Sequence, residues 1–370
     1  MKYRHLIGLI VVFLLLLSCG SSGKKTMPAD SALEYSGLLR IEEADNYIHA
    51  RILDPSDSTV QIASYVLIDR NRPQPSSLPD GIVVRVPVES VVIYSSVHAA
   101  PLKELGALGI VKGVADAQYF TMPEIAEKIK TGEIEDIGSP ASPSLEKLIR
   151  MQPDLVIASV YDGANLPDLS RAGVNYLKMA DNLESTPLGR AEWIRFLGLI
   201  TGKRQKADSI FNSVAAEYKK LCNIASGAKE KPTVLTENMY QGIWYVPAGD
   251  SYQARMLADA GCRYPWKDTK GTGSLPLAFE EVLEKAGNAD IWLYKTFGVD
   301  LNADALLKED ARYRKFKAFG NSGIWYCNTR KNNMFDEFPF HPERLLEDYI
   351  AIFHPGLTDS APRYFQKMVH

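Results

Sequence analysis

Apolar positions along the chain fall into two patterns. Between residues 37 and 94 the segments LLRIEE, YIHARIL, TVQIASYVLI and IVVRVPV alternate with turn clusters such as Asp54-Pro55-Ser56 and Asn71-Arg72-Pro73, which predicts a β-rich region. From Val91 onward, strand-like and helix-like runs alternate. Val91 to Tyr94 reads as a buried strand, a helix is expected from about Ala99 to Leu108 with Gly109 ending it, and Ile110, Val111 and Val114 start the next strand. Such a strand–loop–helix–strand unit belongs to a parallel sheet.

The stretch SPSLEKLIRMQPDLVIAS, residues 142 to 159, is the clearest unit of this kind. Ser142 and Ser144 offer N-caps, Leu145, Leu148 and Ile149 share one apolar face, and Pro153 cannot continue the helix. Leu155, Val156 and Ile157 then form a short strand of the type covered on both faces. Residues 275 to 296, LPLAFEEVLEKAGNADIWLYKT, echo it: Glu280 and Glu281 stand where Glu146 does, and Asp290 repeats Asp154 two residues later. A unit recurring at domain-sized spacing suggests two lobes built alike, although αβ units are common in all such folds.

Between the two copies lies a stretch with no strand. Thr186-Pro187 caps a helical region reaching about Ser226, with Trp193, Phe196, Leu197 and Ile200 on one face and Ala207, Ile210, Phe211, Val214, Tyr218 and Leu221 on the next. Gly202-Lys203 is a point where it can break in two. After Lys231-Pro232 the αβ pattern resumes and runs to a helix from about Pro342 to Phe353.

The chain has 370 residues, enough for two or more domains, and its formal net charge of −3 argues against a nucleic-acid surface. The N-terminus changes the picture more. Lys2, Arg4 and His5 precede an apolar run from Leu6 to Leu17, too short to span a bilayer comfortably, and it ends LLSC at residues 16 to 19. This resembles a bacterial lipobox, which implies cleavage before Cys19, lipid on its thiol and a small polar tether after it. An ordinary secretory signal with an incidental Cys is the alternative. Cys222, Cys262 and Cys327 remain, an odd number without a CxxC, so buried free thiols are expected.

Five segments, taken in order, resemble the substrate-binding proteins of bacterial ABC importers for iron–siderophore complexes, haem and cobalamin, with turns of phrase like those of Bacteroides-type members. They are YSSVHAAPLKELGALGIVKGV, SLEKLIRMQPDLVIAS, PLGRAEWIRFLGLITGKRQKAD, YVPAGDSYQARMLADAGC and FEEVLEKAGNADIWL, and the resemblance covers roughly residues 85 to 357. It implies an α/β fold: two Rossmann-like lobes with parallel sheets, joined by one long helix near residues 187 to 226, with a ligand cleft between them. The expected organisation is a signal peptide at 1–19, a tether at 20–35, an N-terminal lobe with its β-rich extension at 36–186, the connector at 187–226 and a C-terminal lobe at 227–370. It further implies a periplasmic, lipid-anchored monomer without intrinsic cofactor, working with an ABC permease and its ATPase. Surface glutamates, here Glu146 and Glu280 with Glu281 as a rival, would dock on permease arginines. The plainer reading of these acids is first-turn dipole stabilisation, worth ~0.3–1 kcal/mol.

Ligand-contacting residues are expected at the carboxyl ends of strands. These are Ser95, Ser96, His98, Tyr119, Phe120, Tyr161 and Asp162 from the first lobe, and Asn238, Tyr240, Trp244, Tyr245, Tyr252, Lys295 and Phe297 from the second. Aromatics suit a large planar or macrocyclic chelate such as a ferric siderophore, cobalamin or haem, and core packing is the alternative for each. Lys295 would neutralise an anionic chelate or simply be solvated. The Asn- and Phe-rich segment 330–345 resembles a loop near the cleft. For haem, His98, His341, Tyr119 or Tyr161 are candidate axial ligands. A bare zinc or manganese site would need about three His and a carboxylate, and the six His are scattered. No HExxH, GxSxG or GxxxxGK[ST] occurs, which disfavours an enzyme.

Overall fold

A computed structural model of the chain describes residues 33–160 and 166–369. The β-rich start forms a four-stranded sheet of β1 (Leu39–Ala44), β2 (Tyr47–Leu53), β3 (Gln61–Asp69) and β4 (Ile82–Val86), antiparallel except for the parallel pair β3–β4. It is joined to the first lobe rather than set apart from it. Tyr65 is buried, and its hydroxyl accepts the backbone N–H of Lys178 at 2.8 Å.

The first lobe contains β5 (Val91–Ile93), α1 (Ala99–Leu105), β6 (Val111–Val114), α2 (Pro123–Thr131), β7 (Glu135–Asp136), the small β8–β9 pair (Gly138–Ser139, Ser142–Pro143), α3 (Leu145–Met151), β10 (Leu155–Ser159), α4 (Leu166–Arg171) and β11 (Tyr176–Met179). Its parallel sheet has the order β11-β10-β5-β6-β7. Helix α1 stops earlier than the sequence predicts, because Gly106 takes the left-handed conformation (φ 73°) and caps it. Helix α3 starts at Leu145 with the Ser144 side chain as its cap.

The connector is two helices, not one. α5 (Pro187–Ile200) and α6 (Arg204–Ser226) pack against each other, and the chain turns between them at Gly202 (φ 68°). A Cβ on Gly202 would lie 3.1 Å from the Pro87 ring, so position and conformation both demand glycine. Helix α5 ends beside the first lobe, where the Ile200 carbonyl accepts the Val88 N–H at 3.0 Å. The spanning element is α6: its 23 residues, about 35 Å of helix, run on to pack against helices of the second lobe.

The N-terminal end of the described chain is made fast to this connector. Glu192, with no exposed surface, accepts the backbone N–H groups of Glu34 (2.9 Å), Tyr35 (2.8 Å) and Ser36 (2.9 Å). Buried Glu184 accepts those of Gly37 (2.8 Å) and Leu38 (3.2 Å), the Ser36 hydroxyl, and the Trp193 indole N–H at 2.8 Å. Burial raises the pKa of the Glu184 carboxyl, and these hydrogen bonds oppose the shift.

The second lobe follows: β12 (Val234–Thr236), β13 (Met239–Tyr240), β14 (Ile243–Pro247), α7 (Tyr252–Asp259), β15 (Ser274–Leu277), α8 (Phe279–Ala286), β16 (Ile291–Thr296), α9 (Ala303–Glu309), α10 (Lys317–Gly320), β17 (Ile324–Asn328), α11 (Met334–Glu337), α12 (Pro342–Phe353) and β18 (Gln366–Lys367). Its main sheet, β12-β16-β17-β18, is parallel except at β18, and β13-β14-β15 form a separate antiparallel sheet. Among the described residues no helix is long and apolar enough to cross a membrane. Cys222, Cys262 and Cys327 are free thiols; burial raises the first two to pKa values of about 11 and about 12.

Candidate functional site

In parallel αβ units, loops at the carboxyl ends of the strands gather on one side of the sheet. In the second lobe the ends of β12, β16 and β17 enclose a cavity of about 480 Å³. Asn238 follows β12; Tyr294, Lys295, Thr296, Phe297 and Val299 come from β16 and its continuation; Thr329 and Phe335 follow β17. Phe297 is 60% exposed and Phe335 42%, so two aromatic rings reach solvent at the rim. The polar groups are held in place. The Asn238 amide donates to the Tyr294 hydroxyl at 3.2 Å, and that hydroxyl donates to Glu309 at 2.5 Å. Arg330 lies 5.7 Å from the Phe297 ring centre, adding a cation beside an aromatic face.

Three of the residues expected at strand ends therefore share this cavity: Asn238, Lys295 and Phe297. Lys295 differs from expectation. Its ammonium is paired with Glu237 and lies 5.8 Å from the Phe335 ring centre, so it meets the cavity already holding a carboxylate partner rather than as a solvated cation.

Other expected residues lie elsewhere. Trp244 has no exposed surface; it packs on Trp292 (ring centres 5.5 Å apart), Phe316 (5.6 Å) and Tyr313 (5.9 Å), and its indole N–H donates to the Thr236 carbonyl. It belongs to the core. Its strand neighbour Tyr245 points the other way and is 43% exposed, on the same face as Tyr240 at 67%. Tyr252 is also buried, stacked on Phe338 with ring centres 6.1 Å apart, and its hydroxyl accepts from Arg190 at 2.5 Å.

On the first-lobe side, Ser95 and Ser96 follow β5 as expected, and Tyr119 is 54% exposed while Phe120 is buried. The Ser96 hydroxyl donates to Asp336 of the second lobe at 3.0 Å. His98 is buried, with its Nε2 3.5 Å from Asp181, which in turn accepts from Arg190 at 3.1 Å. Burial pushes the Asp181 carboxyl up, but Arg190 and then His98 outweigh it and hold the carboxyl below its usual range. His98 and Tyr252 are thus members of a buried polar seam between the lobes, not of an open ligand wall. Tyr161, Asp162 and Cys19 lie outside the described residues.

The two glutamates sit as a matched pair. Helices α3 and α8 each precede the strand they cover and run antiparallel to it, so their N-termini lie at the carboxyl ends of β10 and β16. Glu146 is exposed in the first turn of α3. Glu280 is 76% exposed with one partner, Arg312, at 3.2 Å. Glu281 is held differently: its carboxylate turns back to accept the Ala278 N–H at 2.8 Å, as half of a capping box.

The fold and this arrangement define a bilobed solute-binding protein. The chain belongs to the periplasmic binding protein family, whose model matches residues 91–329. It is 28% identical to an uncharacterized lipoprotein of Methanocaldococcus jannaschii over 84% of this chain and 76% of that protein. It is 24% identical to an iron-uptake system-binding protein of Bacillus subtilis over 65% and 71%, respectively. Among solved structures, a periplasmic heme binding protein from Pseudomonas aeruginosa superposes with a TM-score of 0.60 at 17% identity, covering 76% of this chain and 99% of that one. The vitamin B12 binding protein of Vibrio cholerae matches with a TM-score of 0.53 at 15% identity, covering 72% and 97%. The family is one of binding proteins.

The sequence reading missed Val299, Leu301, Ala305, Glu309 and Thr329 on the far wall of the cavity, while Phe335 falls in the segment 330–345 expected near the cleft. Applying the strand-end rule to β17 as well as β16 would have reached Thr329.

Proposed function

We propose that this chain captures a metal chelate of the ferric-siderophore or cobalamin type and delivers it to an ABC permease powered by a separate ATPase. The observation that carries this reading is the cavity at the ends of β12, β16 and β17. Exposed Phe297 and Phe335 offer planar contact at low entropy cost, and the Asn238–Tyr294–Glu309 chain presents fixed polar groups. Glu146 and Glu280 are the docking residues for permease cations, and lipid on Cys19 ties the protein to the envelope membrane.

Haem is the second reading. His341 has both ring nitrogens engaged by carboxylates, and His98 is buried in the seam, which leaves exposed Tyr119 as the axial ligand among the described candidates. A bare metal ion is less well served: among the described residues no group of three or more His, Cys, Asp or Glu is placed to hold one.

The test is a titration of the full chain with cobalamin, haem and ferric catecholate, hydroxamate and citrate complexes, followed by tryptophan fluorescence. Trp292 packs 5.4 Å from Tyr294, which lines the cavity, so a bound chromophore lies within energy-transfer range. Saturable quenching by one class, weakened by Phe297→Ala, is the expected result. No quenching by any of them overturns the chelate reading.

A further inference from the structure

The segment just after β17 does more than line the cavity. Within residues 335 to 341 it touches the first lobe or the connector at three successive points. The Asp336 carboxylate accepts from the Ser96 hydroxyl, which follows β5, at 3.0 Å. The Phe338 ring lies 5.4 Å from the Arg190 guanidinium, which is also 4.8 Å from the ring of Tyr252, the residue stacked on Phe338. His341 sits between two carboxylates: Nε2 is 2.7 Å from Glu104 on α1, and Nδ1 is 2.8 Å from Glu343 on α12.

These contacts are built rather than incidental. His341 is 8% exposed, Phe338 5% and Tyr252 6%. A buried polar group parted from its partner loses a hydrogen bond that water cannot easily replace, so each point resists being pulled apart. At its upstream end the segment meets the cavity through Phe335, whose ring centre is 6.1 Å from that of Phe338. At its downstream end it enters α12, which packs on α6 and α7. One short piece of chain thus joins the cavity wall, the first lobe and the connector.

We propose that residues 335–341 form a strap that sets the separation of the two lobes, with Asp336 and His341 as its positioning residues and Ser96 and Glu104 as their anchors on the first lobe. The strap holds in the absence of ligand. The ring-to-ring contact between Phe335 and Phe338 makes it the route by which a molecule resting on Phe335 acts on the other lobe; this last step rests on the cavity being the ligand site.

The test measures lobe separation directly. Spin labels are placed by unnatural amino acids at exposed Lys130 in the first lobe and Lys315 in the second, in the full, ligand-free chain, and the distance distribution is read by pulsed electron paramagnetic resonance. The parent chain should give one narrow distribution. Combining Asp336→Asn with His341→Gln should make it about twice as broad or shift its mean outward, as expected when a second arrangement becomes populated. Glu104→Gln, which changes only the half-exposed first-lobe anchor, should act in the same direction and guards against a fold defect in the second lobe. Unchanged distributions in both, with circular dichroism like the parent's, overturn the strap. Because no ligand is present, a failure of the chelate titrations leaves this outcome readable.

Discussion

Asp154 and Asp290 hold the same position in the two lobes and do the same work. Asp154 precedes β10, and its Oδ2 accepts the N–H groups of Glu89 (2.6 Å) and Ser90 (3.3 Å), the residues leading into β5. Asp290 precedes β16, and its Oδ2 accepts the N–H of Thr233 (2.8 Å), which leads into β12. The paired strands match too: Leu155 lies opposite Val91, and Ile291 opposite Val234. Each carboxylate also meets a cation at 2.6 Å, Arg70 in one lobe and Lys317 in the other. Asp154→Ala and Asp290→Ala should each lower stability by about 1–3 kcal/mol in urea unfolding, by stranding backbone donors. Being in separate lobes, their effects should add if the chain unfolds in one step.

His341 predicts a loss of stability in alkali. Burial by itself would lower its pKa, but the carboxylates of Glu104 and Glu343 outweigh it and raise the value to about 9. Arg344 and Glu337 complete the charged surroundings, with Arg344 3.8 Å from Glu343 and 2.9 Å from Glu337. A group whose pKa is raised on folding contributes its full stabilisation below its ordinary value of 6.5 and loses it as pH climbs through about 9. Melting temperature should therefore fall between neutral pH and pH ~10 by more in the parent chain than in His341→Gln, by a difference on the order of 2 kcal/mol in stability. Parallel curves would remove His341 from the account.

Trp244 and Phe297 should separate stability from binding. Trp244→Ala opens a hole among Trp292, Tyr313 and Phe316 and should cost roughly 3–5 kcal/mol by denaturant titration. Phe297→Ala removes a ring that is mostly in solvent and should leave unfolding within ~0.5 kcal/mol of the parent. Its effect should appear as a roughly tenfold weaker chelate affinity, about 1.4 kcal/mol of lost ring contact.

Glu146→Ala together with Glu280→Ala should abolish chelate uptake in cells while leaving affinity in solution unchanged. Both side chains are exposed and lie outside the cavity. Weakened solution binding in this double variant would place them in the wrong role.

The fold was largely readable because its signals are local. Turn clusters separate β1 to β4, Ser144 caps α3, and Pro153 closes it before a three-residue apolar run. The site was read less well, because burial depends on neighbours far away in sequence. Even so, one error was avoidable: Trp244 and Tyr245 are adjacent in a strand and cannot both face a cleft. The alternation in β14, exposed at Ile243 and Tyr245 and buried at Trp244 and Val246, settles which one points inward. For Lys295 no local signal names Glu237 as its partner, since the pair spans β12 and β16. His98 was likewise claimed by Asp181, a residue 83 positions away.

The grip of Glu184 and Glu192 on residues 34–38 has a mechanical meaning. A line fastened to either lobe would drag that lobe when it tightened and so bias the mouth of the cleft. This line is fastened to α5 and its approach, and α5 packs on α1 of the first lobe as well as on α6 and on α7 of the second. If Cys19 carries the lipid proposed above, tension along the N-terminal segment reaches the body at these carboxylates, beside a helix that touches both lobes, and not at the wall of the cavity.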